Sequence, residues 1–283
     1  MIKGWLIVNS FVNSSKFYEI YDLLKDSAKK FACEIEIKKS NEINTLHFEK
    51  PDFILFWDKD IDLARLFEAK GIRVFNKADA IEKCDNKSLT YVELLDTCKM
   101  PKTILGPKLF INNNIDDYSF VDTYIEELGL PLVIKESRGS FGRQVYLAKT
   151  KQEVIDIISR IHEKEYLLQE YIESSAGKDI RINIVGGEFV CAMGRVNNDD
   201  FRANITNGGH YVNVTLTDKQ IDIALKACKK LDLDFAGVDI LYGEDDEPIL
   251  CEVNSNPHFK SSLECTGINM ADYIIKHIVN TIS

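Results

Sequence analysis

Apolar residues recur along this chain in two rhythms, and each rhythm predicts an element type. From residue 1 to about 85, short apolar runs alternate with longer amphipathic stretches. Trp5–Val8, Glu34–Ile37, Phe53–Trp57 and Arg73–Phe75 have strand length and composition. Phe17–Phe31 and Ile61–Ala69 carry the helical period. Such a strand–helix–strand rhythm predicts a small parallel sheet covered by helices. A helix is expected over Asp85–Cys98, with Lys87 near its start. Residues 101–165 mix short strands with helices at Phe120–Leu128 and Gln152–Lys164, and Asn112–Asp117 reads as a flexible loop. From Tyr166 the pattern turns to longer strands, with a hairpin turn at Gly186-Gly187, a helix at Asp218–Lys230, a strand pair, and a last helix at Ile268–Thr281. The class expected is α/β (α+β) in three segments, 1–85, 86–165 and 166–283, with no internal repeat.

The most informative stretch is Pro248–His258, Pro-Ile-Leu-Cys-Glu-Val-Asn-Ser-Asn-Pro-His. On a strand, alternation places Leu250, Glu252 and Asn254 on one face and Ile249, Cys251 and Val253 on the other. The apolar run Phe235–Tyr242 just upstream carries a single acid, Asp239, and Gly243–Pro248 reads as the turn between the two. Antiparallel pairing would set Asp239 beside Glu252 and Asn254. Two carboxylates and an amide oxygen are hard ligands suited to Mg²⁺, with positions left for phosphate oxygens. A solvent-facing strand with an acidic edge is the plainer reading. Isolated acids in apolar runs are costly unless paired or metal-bound, which favours the metal.

A second signal is Val133–Val145, a strand, a glycine-containing loop and another strand. Lys135 closes the apolar run, while Gly139 and Gly142 would let backbone N–H groups approach a phosphate. The loop lacks the Gly-Lys-Ser/Thr ending of a Walker A motif and is not a dinucleotide fingerprint. An exposed hairpin with a basic tip has the same spacing. Gln169–Glu173 follows, an apolar edge suited to adenine through its backbone groups, and Asp179 then opens a strand where it could accept from ribose hydroxyls. Arg181 shares the face of Asp179. Arg195, Arg202 and Asn204 fall in an Asn- and Asp-rich stretch, and Arg195 reads as part of a solvated surface loop.

Taken in order, Lys135 before a glycine loop, Gln-Glu-Tyr-Ile, Gly-x-Asp-Ile-Arg, Phe-Arg-x-Asn, Ala-Gly-Val-Asp-Ile and Glu-Val-Asn-x-x-Pro resemble the ATP-grasp ligases, most closely their RimK-type and LysX-type branch. The resemblance runs from about residue 85 to the C-terminus. It implies an ATP-grasp fold, with ATP between a central and a C-terminal subdomain behind a small N-terminal domain. It assigns Lys135, Lys87 and the Gly139, Ser140 and Gly142 loop to the ATP phosphates, Glu170, Tyr171 and Ile172 to the adenine hinge, and Asp179 to the ribose side. Arg202 and Asn204 match the family's Arg-x-Asn, and Asp239, Glu252 and Asn254 match its magnesium ligands (Mn²⁺ being an alternative ion). The implied reaction joins a carboxylate to an amine through an acyl-phosphate and releases ADP. Arg181 and Arg202 would act catalytically, steadying the oxyanion or holding the carboxylate substrate. His258 and Lys260 are candidates for the amine side. The loop Gly-Ser-Phe-Gly-Arg and the tail Ser-Asn-Pro-His-Phe-Lys lean toward the LysX-type pattern, so neither branch's substrate carries over whole.

Bulk properties narrow the partners. A formal charge of −10 over 283 residues argues against nucleic acid, whose phosphates select basic faces. No apolar run nears the ~18 residues needed to span a bilayer. Seven scattered cysteines suit reduced thiols in the cytoplasm rather than disulfides or zinc, and none is expected to serve as a nucleophile. The expected substrates are an amino acid, glutamate first, and an amino-acid, peptide or carrier-protein acceptor. A homo-oligomer would be usual for a soluble enzyme. A nucleotide-binding regulator without turnover and a small-molecule kinase are the competing readings.

Overall fold

The computed structural model describes residues 1–109 and 115–283, so Asn112–Asn114 of the expected loop lie outside the described residues. The first sheet contains β1 (Ile2–Val8), β2 (Cys33–Lys39), β3 (Phe53–Trp57) and β4 (Arg73–Phe75), all parallel in the order β2-β1-β3-β4. Helices α1 (Ser15–Lys30) and α2 (Ile61–Ala69) form the crossovers expected from the sequence rhythm. β3 is buried along its whole length because helices cover both faces of its sheet. Two short helices, α3 (Ala78–Asp85) and α4 (Lys87–Leu94), lead out of this unit. One continuous helix was expected over Asp85–Cys98; it begins at Lys87, where the Asn86 side chain caps the Ser88 and Leu89 N–H groups.

The second sheet is antiparallel and contains β5 (Thr103–Leu105), β6 (Leu132–Glu136), β7 (Val145–Ala148) and β8 (Tyr166–Glu170), in the order β5-β8-β6-β7. Helices α5 (Phe120–Leu128) and α6 (Lys151–Ile161) cover one face of it. β8 pairs with β5 on one side and β6 on the other, so we place the second division of the chain after Glu170 instead of at residue 165.

The third sheet holds β9 (Lys178–Val185), β10 (Glu188–Val196), β11 (His210–Val212), β12 (Phe235–Tyr242) and β13 (Pro248–Asn254), in the order β11-β10-β9-β12-β13. Its inner face gathers Ile180, Ile182, Ile184, Val238, Ile240, Leu250 and Val253 against α7 (Asp218–Lys230). Strict alternation along β13 fails at one point. Asp239 pairs with Glu252 but Ile240 pairs with Leu250, so Cys251 is an extra residue in a β-bulge. The bulge turns both Leu250 and Val253 inward and leaves Cys251 and Glu252 lining the cleft described below. Leu250 therefore does not share a face with Glu252, as alternation alone implied.

The chain ends with α8 (Lys260–Thr266) and α9 (Met270–Ile282). Ile274, Ile275 and Ile278 of α9 pack with Leu6, Leu24 and Phe53, so the core of the first sheet is completed by the last helix. Trp57 stacks on Phe235 with ring centroids 5.4 Å apart, joining the first and third sheets. Buried Asn76 locks the same junction, donating to the carbonyls of Phe235 and Ser255 at 2.9 Å each and accepting from the Asp234 N–H at 2.7 Å. No helix among the described residues is long and apolar enough to cross a membrane.

Candidate functional site

The second and third sheets face each other across a cleft of about 110 Å³. Lys135 reaches it from the end of β6, with Nζ 3.9 Å from Cys251 Sγ across the cleft. Lys87, at the first turn of α4, donates to the Gly139 carbonyl at 3.2 Å and lies 3.7 Å from Glu252 Oε1. Two cations thus enter from two different elements, a favourable field for a polyphosphate. Glu170, Tyr171 and Ile172 form the wall where the chain leaves β8. The Glu170 side chain accepts from the Lys102 N–H at 2.8 Å, and Tyr171 meets Phe201 edge to face at 6.4 Å. The Glu170 carboxylate is thus engaged within the protein, so its side chain is not free to meet a ligand at this wall.

The glycine loop covers the cleft. Gly142 has φ +70°, and a Cβ there would stand 2.7 Å from Asn204 Oδ1, so the position requires glycine on two counts. Phe141 adopts φ +60° and meets Phe17 of α1 edge to face at 6.3 Å. Lys59, just after β3, donates to Ser140 Oγ at 3.1 Å. The loop is therefore tied to the first unit of the chain. Arg202 fastens its other side: the guanidinium chelates Asp200 at 2.9 and 2.7 Å and donates to the Gly142 carbonyl at 2.6 Å. Asp200 raises the Arg202 pKa above its ordinary value, so the guanidinium is cationic. Arg202, expected to meet phosphate, is here a clasp on the glycine loop.

On the third sheet a row of directly opposed residues crosses four strands, Met193, Arg181, Asp239 and Glu252. Arg181 donates to both Asp239 oxygens, through Nη2 to Oδ2 at 2.8 Å and through Nε to Oδ1. Arg195, directly opposite Asp179, holds that carboxylate at 2.6 Å through both Nε and Nη2, and its Nη2 is also 2.9 Å from Asp239 Oδ2. These four side chains are only 3–8% exposed. Burial acts to raise the Asp239 pKa, but Arg181 and Arg195 outweigh it and hold the carboxyl below its ordinary range. Burial also opposes charge on Arg195, and the two aspartates overcome it. Arg195 is thus not a residue of a solvated surface loop. It lies on β10, and its cost of burial is met by Asp179 on the adjacent β9 and Asp239 on β12 beyond it. Nothing local in the sequence marks this, because Asp179 and Asp239 become neighbours only through strand pairing.

All residues expected at the nucleotide line this cleft, Ser140 among them, as do Asp239 and Glu252. Arg181 and Asn254 do not; they line a second cavity of about 690 Å³ between the first and third units. The two spaces share Gly139, Ser140, Arg195, Asn204 and Glu252. Asn254 sits opposite Gly237 and its Nδ2 donates to the Gly237 carbonyl at 3.3 Å, which leaves Oδ1 for a ligand. Gly237 itself makes room: a Cβ there would come within 3.0 Å of Arg181 Cδ. Among the described residues no three His, Cys, Asp or Glu side chains converge as a metal cluster, so a site here depends on the Asn254 amide. Asp239, Glu252 and Asn254 fit a hard cation in donor type. In charge they fit only where Asp239 shares its oxygens with the cation and relaxes its hold on the guanidinium groups. His258 and Lys260 line the second cavity, His258 Nε2 lying 3.0 Å from the Lys16 carbonyl. Burial pushes the Cys251 thiol up to about 11, with Lys135 pulling the other way, so it is protonated at neutral pH.

A cleft between two antiparallel sheets, roofed by a glycine loop and ending in acidic side chains on a strand pair, defines an ATP-grasp protein. The model of the RimK-like ATP-grasp domain matches residues 86–278. The chain belongs to the RimK-like ATP-grasp family. It is 35% identical over 230 residues to N-acetylaspartylglutamate synthase A of Homo sapiens, covering 79% of this chain and 57% of that protein. It is also 35% identical over 217 residues to the ribosomal protein bS6–L-glutamate ligase of Escherichia fergusonii, covering 76% and 70% respectively. In structure it resembles D-alanine–D-alanine ligase from Bacillus anthracis complexed with ATP, with a TM-score of 0.75, 20% identity and coverage of 100% and 97%. At that identity the likeness speaks for the fold alone.

Proposed function

We propose that the chain is an ADP-forming carboxylate–amine ligase that joins an amino acid, glutamate first among candidates, to a carboxylate of an amino acid, peptide or protein. One observation carries the reading: the cleft lined by Lys87, Lys135 and the Glu170–Ile172 wall and a larger cavity meet at Glu252, Asn204 and the glycine loop. A transfer between ATP and a second molecule needs that junction, whereas a protein that only holds ATP does not.

ATP would lie with adenine against Tyr171 and Ile172, ribose toward Asp179, and phosphates between Lys135, Lys87 and the loop. The carboxylate substrate enters from the larger cavity and attacks the terminal phosphate, forming an acyl-phosphate and ADP. Two anions must approach for this step, and Lys87, Lys135 and Arg181 lower the repulsion between them. An amine then attacks the acyl carbon, phosphate leaves, and an amide forms. Asp239, Glu252 and Asn254 would hold Mg²⁺, or Mn²⁺ in its place, to neutralise phosphate oxygens when bound. The loop, held by Lys59, Phe17 and Arg202, shields the acyl-phosphate from water. Seven free cysteines and the reducing chemistry they suit agree with a cytoplasmic setting.

The test is ADP release by purified protein with MgATP, L-glutamate and a panel of carboxylates, with mass spectrometry of products. Amide formation that depends on both substrates is the expected result, and Glu252→Gln should lower it by about a hundredfold or more. A phosphorylated acid as the stable product would turn the reading to a kinase. ATP binding with no ADP from any pair would turn it to a regulator.

A further inference from the structure

An amine that attacks an acyl-phosphate must lose a proton, and no residue described so far accepts it. The larger cavity offers few groups that can. Glu19 and Glu264 pair with Lys260, Asp85 pairs with Lys59, and Glu252 faces Lys87. Asp58 already accepts from Asn9 Nδ2 at 3.1 Å and from the Lys59 N–H at 2.7 Å. Burial, followed by the charge of Asp58, pushes the Tyr21 phenol up to about 12, so it keeps its proton at neutral pH. His258 lines the same cavity and has a nitrogen to spare.

The segment after β13 is pinned to the first unit at two points. Asn256 Nδ2 donates to the Asp58 carbonyl at 3.0 Å, and His258 Nε2 lies 3.0 Å from the Lys16 carbonyl. A carbonyl only accepts, so the neutral ring carries its proton on Nε2 and keeps a lone pair on Nδ1. Nδ1 has no hydrogen-bond partner among the described residues and is not shut away from solvent. Phe17 packs edge to face against the imidazole at 6.3 Å and against Phe141 of the glycine loop at the same distance. One aromatic ring thus separates His258 from the loop. Burial holds the imidazole below its ordinary 6.5, aided by the charges of Lys16 and Arg181 and opposed by the Lys16 carbonyl and Glu19. From α8, Lys260 and Glu264 face the cavity as a pair. The influence of Arg181, which holds Asp239, ties His258 to the end of the cavity where it meets the cleft.

We propose that His258 is the general base of the amide-forming step, accepting at Nδ1 the proton that the amine nitrogen loses on attack. The proposal rests on the ligase reading. The amine gives its first proton to water and reacts neutral. Its lone pair forms the C–N bond, the bond from the acyl carbon to the phosphate oxygen breaks, and the nitrogen's surplus proton passes to Nδ1. The imidazolium, disfavoured by burial and by Lys16 and Arg181, hands that proton to the departing phosphate, which leaves as inorganic phosphate.

Two nucleophiles offered to the same protein with MgATP and a carboxylate panel test the base. L-Glutamate needs one, whereas hydroxylamine is largely uncharged at neutral pH and traps acyl-phosphates unaided. His258→Gln, which keeps an N–H for the Lys16 carbonyl, should lower kcat for the glutamate amide about a hundredfold. The KM for glutamate and the rate of hydroxamate formation should both stay within about twofold of wild type. Wild-type kcat for the amide should also fall as pH drops through the lowered His258 value, and His258→Gln should lack that limb. Far-ultraviolet circular dichroism confirms folding, and His258→Asn decides by the same criteria if His258→Gln does not fold. Undiminished amide formation in a folded variant, or hydroxamate falling as far as the amide, overturns the base and leaves the ligase. If wild type yields neither ADP, hydroxamate nor amide with any carboxylate, the ligase reading falls and the base with it.

Discussion

Two β-hairpins face each other across the nucleotide cleft, and they are built on opposite principles. The β6–β7 hairpin ends in a loop with left-handed backbone at Phe141 and Gly142, held by an aromatic contact to α1 and by hydrogen bonds to Lys59 and Arg202. The β12–β13 hairpin is bulged at Cys251, and its Asp239 is buried in a lattice of arginines. The first can open by breaking a few surface-accessible bonds. The second cannot move without exposing charges that, among the described residues, are paired with one another. A ligase must admit ATP and yet hold the reacting atoms still, and the two hairpins divide those demands.

The largest effect that would break this comparison is expected at Asp239. Asp239→Ala leaves Arg181 without its carboxylate and Arg195 with one of two. Loss of one member of a buried ion network costs about 3–5 kcal/mol. Urea unfolding should show that loss together with near-complete loss of ADP release, and a change below about 1 kcal/mol would mean the hairpin is not the rigid side. Gly142→Ala is expected to act on the loop instead. A left-handed non-glycine residue costs about 1–2 kcal/mol, and the added methyl would press on Asn204. The KM for ATP should rise severalfold with a modest stability change. If unfolding shows a loss as large as that of Asp239→Ala, the contrast between the hairpins fails.

The smallest effect concerns pH. Burial lowers the His258 pKa from its ordinary 6.5, outweighing its hydrogen bond to the Lys16 carbonyl. The unfolded chain therefore binds a proton at His258 before the folded one does. Stability attributable to this residue should fall as pH drops below 6.5, then level off once the folded-state value is passed. His258→Gln should remove that part of the slope in a series of thermal melts. An unchanged slope would show that the segment after β13 does not hold a buried neutral imidazole.

Much of the site was legible because its chemistry is local in the chain. Lys135 before a glycine loop, the Gln-Glu-Tyr-Ile wall and the Glu-Val-Asn strand each carry their meaning within a few residues. Helices α2, α5 and α7 fall where the helical period and flanking residues placed them. What sequence missed depends on pairing between distant segments. Arg195 reads as surface when only its polar neighbours in sequence are considered, and becomes interior when β9 supplies Asp179 opposite it. The bulge at Cys251 could not be read from alternation, since one extra residue leaves no compositional mark. β8 pairs into the second sheet although its apolar pattern continues into the third segment.

Sequence by itself determined the class of fold, the family, and the residues gathered along the cleft, because strand and helix periods and short motifs are properties of neighbouring residues. Only tertiary structure decided which charges neutralise one another, which hairpin is held by buried ion pairs, and which distant segments meet beside the cleft. Those outcomes turn on distances between residues as far apart as Asp58 and Asn256, and burial gives such distances their energetic weight.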